Sequence, residues 1–188
     1  MYLGIRIRKV AWLLPVVVSV LFLAPDVAAQ RMALKTNALD YFTLSPNLTL
    51  EARLSRRVSL QLGVAANPLS LAVADIRTTN FRVEPEVRYW FNRPMARHFM
   101  AVSATAGMCS LRLRDRYFIG DAVAMGVSYG YALVLGTHWN MEAEIGVGLA
   151  SVRGYYYKGA KNKPIDINFS RILPVPVRFG LSFAYIFK

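Results

Sequence analysis

The chain has 188 residues, a formal net charge of +12 and a single cysteine, Cys109. A lone cysteine excludes an internal disulfide, so the fold has to be stable without one. The positive charge favours contact with anionic surfaces such as phosphorylated lipid or polysaccharide. Nucleic acid is excluded as a partner by the export signal at the N-terminus.

This N-terminus has the three-part pattern of a signal peptide. Three basic residues within the first nine precede an almost wholly apolar run, and small residues follow at 27–29. The apolar run is too short to span a bilayer comfortably, which disfavours the alternative of an N-terminal anchor. We therefore expect a signal peptide at residues 1–29 and one exported domain at residues 30–188.

The rest of the chain alternates with a period of two, which extended strands produce and helices do not. The alternation predicts eight strands of about the 9 to 11 residues that a tilted membrane strand needs. Their ranges are 33–40, 48–54, 58–66, 81–91, 98–107, 123–135, 139–149 and 175–187. The first and the fifth are irregular, and Phe99 breaks the pattern of the fifth.

The predicted connections alternate in length along the chain. Three of them are short, at 55–57, 92–97 and 136–138, and three are long, at 67–79, 108–120 and 155–171. Short turns at one end and longer loops at the other are the layout of bacterial outer-membrane barrels.

The two faces of the predicted strands differ in side-chain size. One face of strand 123–135 carries Ala124, Gly126, Ser128 and Gly130, whereas the other carries large apolar side chains. The small face suits a crowded interior, and the large face would be an excessive apolar patch on a soluble monomer. A soluble lipocalin-like barrel is the alternative. The sequence thus predicts an all-β fold, an eight-stranded antiparallel transmembrane β-barrel of the small outer-membrane type.

Aromatic residues collect near the two ends of the predicted strands, as the interfacial girdles of a membrane barrel do. Near the short turns lie Trp90, Phe91, Trp139, Tyr185 and Phe187. Near the long loops lie Tyr41, Phe42, Phe81, Tyr117, Phe118, Tyr155, Tyr156 and Tyr157.

Charged residues on the inward faces form a balanced set of five cations and five carboxylates. They are Lys35, Glu51, Arg53, Arg82, Glu84, Glu86, Arg88, Glu142, Glu144 and Arg178. A narrow interior tolerates charges only when they are paired and hydrogen-bonded, so the set predicts a salt-bridged plug. The alternatives are a gated ion or proton path, and paired carboxylates that perform acid–base chemistry.

Two predicted loops carry clusters of basic residues. The clusters are Arg112, Arg114 and Arg116 in one loop and Lys158, Lys161 and Lys163 in the other. A solvated loop surface explains them, and so does attraction to the phosphates of lipopolysaccharide or to an acidic surface partner.

The sequence offers little support for catalysis. The two histidines, His98 and His138, fall at the short-turn end, away from the outer rim where a lipid-modifying enzyme needs a nucleophile and base. Neither they nor Cys109 have metal-site spacing. We expect no cofactor, no metal and no enzymatic activity.

Several phrases occur in an order that resembles a known family. They are Leu34-Lys35-Thr36-Asn37, Asn67-Pro68, Pro85-Glu86-Val87-Arg88-Tyr89-Trp90-Phe91, Ser128-Tyr129-Gly130-Tyr131 and Trp139-Asn140-Met141-Glu142. This set is similar to an uncharacterised Bacteroidetes family, a domain of unknown function regarded as outer-membrane-barrel-like. The resemblance implies an envelope role, sometimes beside fimbrial or surface genes, and no reaction. Paired cysteines that many members carry in the last long loop are missing here, where the chain reads Tyr157-Lys158-Gly159-Ala160-Lys161.

Together these features predict a non-enzymatic protein of the cell outer membrane with a structural or surface-binding role. The expected partners are outer-membrane lipid, lipopolysaccharide and a surface or fimbrial protein. A small ion or proton channel is the first alternative. A lipid-modifying enzyme and a soluble lipocalin-like carrier are the others.

Overall fold

The structure is a computed structural model that describes residues 31–42, 45–67, 76–113, 115–159, 164 and 166–187. The signal peptide predicted at residues 1–29 lies outside the described residues. Within them, no helix has the length and apolar character needed to cross a membrane.

Eight strands and one short helix make up the described chain. They are β1 (Met32–Asn37), α1 (Ala38–Phe42), β2 (Asn47–Arg53), β3 (Val58–Asn67), β4 (Ile76–Trp90), β5 (Arg97–Leu113), β6 (Arg116–Val134), β7 (Trp139–Lys158) and β8 (Phe169–Phe187). Each strand pairs antiparallel with the next, and β1 pairs with β8, so that the sheet closes into a ring. The predictions of an all-β fold and of eight antiparallel strands are confirmed.

The strands differ in length, and two of the predicted long loops are wrong. Strands β5 to β8 have 17 to 20 residues, whereas β1 to β3 have six to ten. Most of 108–120 and much of 155–171 are therefore strand, and β5 turns tightly into β6 around Asp115. The charged residues suggested loops, but the Tyr, Phe, Ile and Val between them favour extended pairing. Strands β5 to β8 thus project beyond β1 to β3.

The first predicted strand, 33–40, is too long. It ends at Asn37, where α1 begins, because the Asn37 Oδ1 accepts a hydrogen bond of 3.1 Å from the Leu39 N–H. A side-chain amide that accepts from a backbone N–H two residues later is a usual way to start a helix.

The face with small side chains points into the ring and the face with large apolar side chains points outward, as the sequence predicts. On β6, Val123, Met125 and Val127 are exposed on the outside of the ring, whereas Ser128 and Ala132 are buried inside it. The inside of the ring is therefore filled by small and polar side chains, and the large apolar side chains cover its outer surface.

Strand β8 departs from regular alternation at one position. The sequence places Val175 and Val177 on the outer face with Phe179, but the pairing with β7 shifts by one residue between Gly146 and Val147. Val177 therefore points inward, and its Cγ2 lies 2.6 Å from where a Cβ on Gly126 would stand. A bulge of this kind reverses the faces of the strand beyond it, so Val175 also points inward.

The short-turn end of the ring is filled by buried side chains. The rings of Trp90 and Phe99 are fully buried with their centroids 4.7 Å apart, which explains why Phe99 interrupts the apolar pattern of β5. The turn before β5 folds beneath them, where Met95 and Ala96 are buried and the Asn140 Nδ2 donates a 2.5 Å hydrogen bond to the Met95 carbonyl oxygen. The placement of Trp90 in an interfacial girdle is therefore wrong.

Two of the aromatic residues assigned to the other girdle also point inward. Phe118 and Tyr156 lie on the inner faces of β6 and β7, because no register shift separates them from the inward-facing residues below. Tyr117, Tyr155 and Tyr157 lie on the outer face by the same alternation.

The narrow packing at this end yields a first prediction. A Cβ at Gly130 would overlap the Phe99 ring and would lie 2.8 Å from the Ala143 carbonyl oxygen. We expect Gly130→Ala to lower the free energy of unfolding by about 1–3 kcal/mol, the usual cost of overpacking a core. Denaturant titration of the refolded protein measures this change. Gly136→Ala is the matched control, since a Cβ there has no neighbour within 4 Å, and an equal loss in both variants would contradict the packing argument.

Candidate functional site

The predicted inward charges form one connected network of ion pairs inside the ring. Nine of the ten predicted residues belong to it, and Asp40 joins them as a sixth carboxylate beside four cations. The network links strands β1, β2, β4, β7 and β8 and the helix α1. We call it the interior charge network.

Arg88 stands at the centre of the interior charge network and is almost fully buried. Its Nη1 lies 2.7 Å from Glu142 Oε2, its Nη2 lies 2.7 Å from Glu144 Oε2, and its Nε pairs with Glu86. The guanidinium also lies over the Phe99 ring, 4.2 Å from the centroid. One arginine thus contacts three carboxylates from β4 and β7 closely and a fourth, Glu51 on β2, at 3.6 Å, while it packs on the Phe99 ring.

Lys35 extends the network toward β1 and β2. Its Nζ lies 2.6 Å from Glu142 Oε2 and also pairs with Glu51, and all three side chains are buried. The Ser59 hydroxyl donates to Glu51 and accepts a 2.7 Å hydrogen bond from the Trp90 indole N–H. The Ser59 hydroxyl therefore links the buried Glu51 carboxylate to the Trp90 ring.

Arg178 and Arg82 carry the network toward the other end of the ring. Arg178 Nε lies 2.7 Å from Glu86 Oε2, and its Nη1 pairs with Glu84. Arg82 Nε lies 2.7 Å from Glu84 Oε1, and its Nη2 lies 2.5 Å from Asp40 Oδ2. Because Glu84 and Glu86 each bridge two cations, the pairs form a continuous path from the buried centre to α1.

Two residues differ from the prediction. Arg53 lies near the turn after β2, where its Nε donates a 3.0 Å hydrogen bond to the Ser55 carbonyl oxygen instead of joining the network. Asp40 was missed because strand alternation from Lys35 puts position 40 on the outer face. The start of α1 at Ala38 changes that direction, and the Asn37 that caps the helix is the sequence signal for it.

A cavity of about 330 Å³ lies beside the interior charge network, inside the ring. Its charged lining includes Lys35, Asp40, Arg82, Glu84, Glu144 and Arg178, and its apolar lining includes Ala124, Val175 and Val177. The cavity therefore has a charged wall on one side and an apolar wall formed by β6 and β8 on the other.

The basic residues predicted in loops lie partly on strands. Arg112 is on the outer face of β5, with its Cζ 5.3 Å from the centroid of the Tyr117 ring, and Tyr117 stacks on Tyr157 at 5.0 Å. Arg116 and Lys158 are opposite each other on β6 and β7 and belong to the inner face. The remaining predicted cations, Arg114, Lys161 and Lys163, are outside the described residues.

The two histidines are on the outer surface near the short turns. The His98 Nδ1 lies 2.6 Å from the Tyr129 hydroxyl, and the His138 ring stacks on Tyr185 at 5.7 Å between centroids. In the part of the chain that the structure describes, no three His, Cys, Asp or Glu side chains are grouped as metal ligands.

Comparison with known proteins assigns a family. The chain belongs to the family described as "protein of unknown function (DUF3575)", whose model matches residues 15–187. No curated protein and no solved structure matches the chain significantly. The resemblance to an uncharacterised domain family is thereby confirmed, and the family description assigns no reaction and no residue role.

The burial of Arg88 yields a second prediction. We expect Arg88→Met to lower the free energy of unfolding by about 3–5 kcal/mol, because it leaves three buried carboxylates without their shared cation. Denaturant titration measures the loss.

Arg53→Met is the matched control for this test. It removes an arginine from the same interior set but from outside the network, and we expect a change within about 0.5 kcal/mol. Similar losses in the two variants would show that the network does not stabilise the fold.

Proposed function

We propose that this member of the DUF3575 family is a non-enzymatic transmembrane β-barrel of the bacterial outer membrane. In this proposal a signal peptide at residues 1–29 exports the chain, and the projecting ends of β5 to β8 bind phosphorylated glycolipid at the cell surface. The resemblance to a Bacteroidetes outer-membrane family agrees with this assignment. The observation that carries the proposal is the apolar band around the outside of the ring.

The height of this band fits a membrane. On β6 the outward side chains are apolar or aromatic at every second position from Leu133 to Val123. Ten steps of about 3.4 Å, at a tilt of about 40°, span about 26 Å along the membrane normal. The apolar band of outer-membrane barrels is about 25 Å tall.

The band ends in a polar row. Asp121 and Arg153 are opposite each other on β6 and β7, and Ser170 is opposite Arg153 on β8. Above this row the strands continue to the tight turn at Asp115, so the projecting part stands in water in this proposal. At the other end Trp139 and Tyr185 pack edge to face at 5.0 Å, as interfacial aromatic residues do.

The filled end of the ring favours a structural or binding role over conduction. Trp90 and Phe99 are fully buried, and the turn that contains Met95 closes the ring beneath them. An ion or proton path would have to cross both this aromatic layer and the paired charges around Arg88. The positions of His98 and His138 at the short-turn end likewise disfavour a lipid-modifying enzyme, whose chemistry belongs at the outer rim.

The projecting end carries groups that recognise sugar phosphates. Arg112 lies over Tyr117 at the tip, and Arg116 and Lys158 are exposed next to the same turn. Short turns of outer-membrane barrels face the periplasm, which directs this tip to the cell surface. Arginine beside exposed aromatic rings suits phosphates attached to sugars, because the cation pairs with the phosphate while the rings cover apolar sugar faces. A surface or fimbrial protein is a further partner that this exposed tip would suit.

Membrane insertion yields a third prediction. Val127 lies near the middle of the apolar band with 53% of its side chain exposed. We expect Val127→Arg to lower the free energy of unfolding in phospholipid vesicles by about 2–4 kcal/mol, the cost of arginine at a bilayer midplane. Guanidinium titration of vesicle-refolded protein measures it.

Ser110→Arg is the control, because Ser110 is on the outer face above the polar row. There we expect a cost of about 0–1 kcal/mol. Recovery of the wild-type protein as a detergent-free soluble monomer, with Val127→Arg neutral, would overturn the membrane assignment.

Glycolipid recognition yields a fourth prediction. We expect Arg112→Gln combined with Arg116→Gln to weaken binding of diphosphoryl lipid A about tenfold, at roughly 0.2–1 kcal/mol for each exposed charge contact. Isothermal titration calorimetry measures binding, and the difference should shrink in 1 M salt, where charges are screened within about 3 Å. The control, Arg56→Gln combined with Arg57→Gln, removes the same charge at the opposite end. An equal effect of both double variants would refute recognition at the tip.

A further inference from the structure

The projecting part of the sheet carries large apolar side chains on its inner face, where the band below it carries small and charged ones. The group consists of Leu111, Phe118, Tyr156 and Phe169, in neighbouring positions of β5 to β8. The Phe118 and Phe169 rings pack edge to face at 5.8 Å, and Leu111 and Tyr156 remain 40% and 47% exposed. A water-bathed sheet face of this kind leaves large apolar side chains uncovered where a polar surface is the norm.

This apolar face continues into the cavity without a polar interruption on β6 and β7. Between the two lie small residues, of which Ala122 and Gly120 are on β6 and Val152 and Gly154 are on β7. Below them Ala124 already lines the cavity. A chain that lies along these strands therefore meets a smooth apolar track from the mouth of the ring to the apolar wall of the cavity.

The charged wall of the cavity contains polar atoms without a protein partner. Arg178 Nη2 is buried and has no hydrogen bond to any described residue, although its Nε and Nη1 are paired with Glu86 and Glu84. Gln61 Oε1 and Thr105 Oγ1, from two other lining residues, are unsatisfied in the same way. A buried donor that is left unpaired destabilises the site, so a ligand that accepts from Arg178 would remove that penalty.

The geometry at β8 disfavours a peptide strand as the occupant. β1 pairs with β8 only from Ser182 to Phe187, so in the described part of the chain the earlier half of β8 is paired on the β7 side alone. Pro174 and Pro176 fall in that half. Prolines at an edge block the addition of another strand, because they lack the N–H that a ladder requires.

We propose that the cavity binds a single-chain amphiphile with an anionic head group, either a phosphate or a carboxylate. The head group accepts hydrogen bonds from the Arg178 guanidinium, with Arg82 beside it, and the alkyl chain lies on the apolar track. Arg171 is on the same inner face, with its Cζ 5.6 Å from the Phe169 centroid, and adds positive charge along the path. The volume of about 330 Å³ is at the lower end of ordinary ligand pockets, which suits one chain rather than a branched lipid.

The single cysteine gives a direct test. Cys109 is exposed on the inner face of β5, opposite Gly120 on the apolar track. We expect saturating dodecyl phosphate to slow maleimide labelling of Cys109 about tenfold in nanodiscs at fixed pH, corresponding to about 90% occupancy of the site. Dodecyltrimethylammonium and dodecyl maltoside, at the same concentration, should protect far less.

Two variants with outer-face controls locate the ligand. Ala124→Phe fills the cavity, and Leu111→Asn interrupts the track on the projecting part of β5. Each should abolish most of the protection, whereas Met125→Phe and Ser110→Asn should leave it unchanged. A protein with Cys109→Ser and Ser110→Cys carries its thiol outside the ring, and its labelling should not respond to dodecyl phosphate.

Three results would overturn the inference. They are an unchanged labelling rate in the wild-type protein, equal protection by all three head groups, and full protection in both Ala124→Phe and Leu111→Asn. The inference goes beyond the proposed function and does not need glycolipid at the tip. Unchanged lipid A binding in the Arg112 and Arg116 double variant therefore leaves it standing, and failure of protection leaves membrane insertion standing.

Discussion

The pairing of Arg88 with carboxylates from β4 and β7 is the interaction on which the interior of the ring depends. A charge that is removed from water destabilises a fold unless partners replace its hydration. Removing one member of a buried ion pair destabilises the fold more than the intact pair stabilises it. Glu86 and Glu142 each bridge Arg88 to a further cation, Arg178 or Lys35. The ion pairs therefore hold together strands that are far apart in sequence. Removing any one charge leaves its partners buried without a counter-charge.

Small residues make room for these long side chains. Gly126 and Gly148 are inward on β6 and β7, and Val177 of the bulged β8 fills the space that a Cβ on either would occupy. A ring of eight strands has a narrow interior that side chains largely fill. The long arginine and glutamate side chains of β4 can therefore cross the interior only if the strands on the opposite side carry small side chains. The small side chains of β6 and β7 and the long charged side chains of β4 therefore complement each other in the packing of the interior.

The sequence predicted the strand count and the faces of β4, β6 and β7, because alternation is a local property that survives any error in strand length. The sequence also predicted nine members of the interior charge network, since charged residues at inward-facing positions of the strands have to meet inside a closed ring. It missed the inward turn of Val177, which depends on the register between β7 and β8, and the recruitment of Asp40, which depends on where a one-turn helix begins. It also read the ends of β5 and β6 as loop, because charge marks solvent exposure and does not distinguish a loop from a projecting strand.

The change in side chains along β5 to β8 can be compared with what the proposed membrane orientation puts around each height of the ring. Where a bilayer surrounds the wall, the outside must be apolar and the inside can hold paired charge. In the proposed orientation the outside above the row at Asp121 and Arg153 meets water, and the outer face there mixes Ser110 and Arg112 with tyrosines. Nothing in that change requires the inner face to become apolar as well, because water fills an open mouth as readily as it bathes the outside. The apolar inner face around Phe118 and Phe169 therefore needs a cause of its own, and the buried Arg178 donor at the foot of the same track makes an amphiphile a sufficient one.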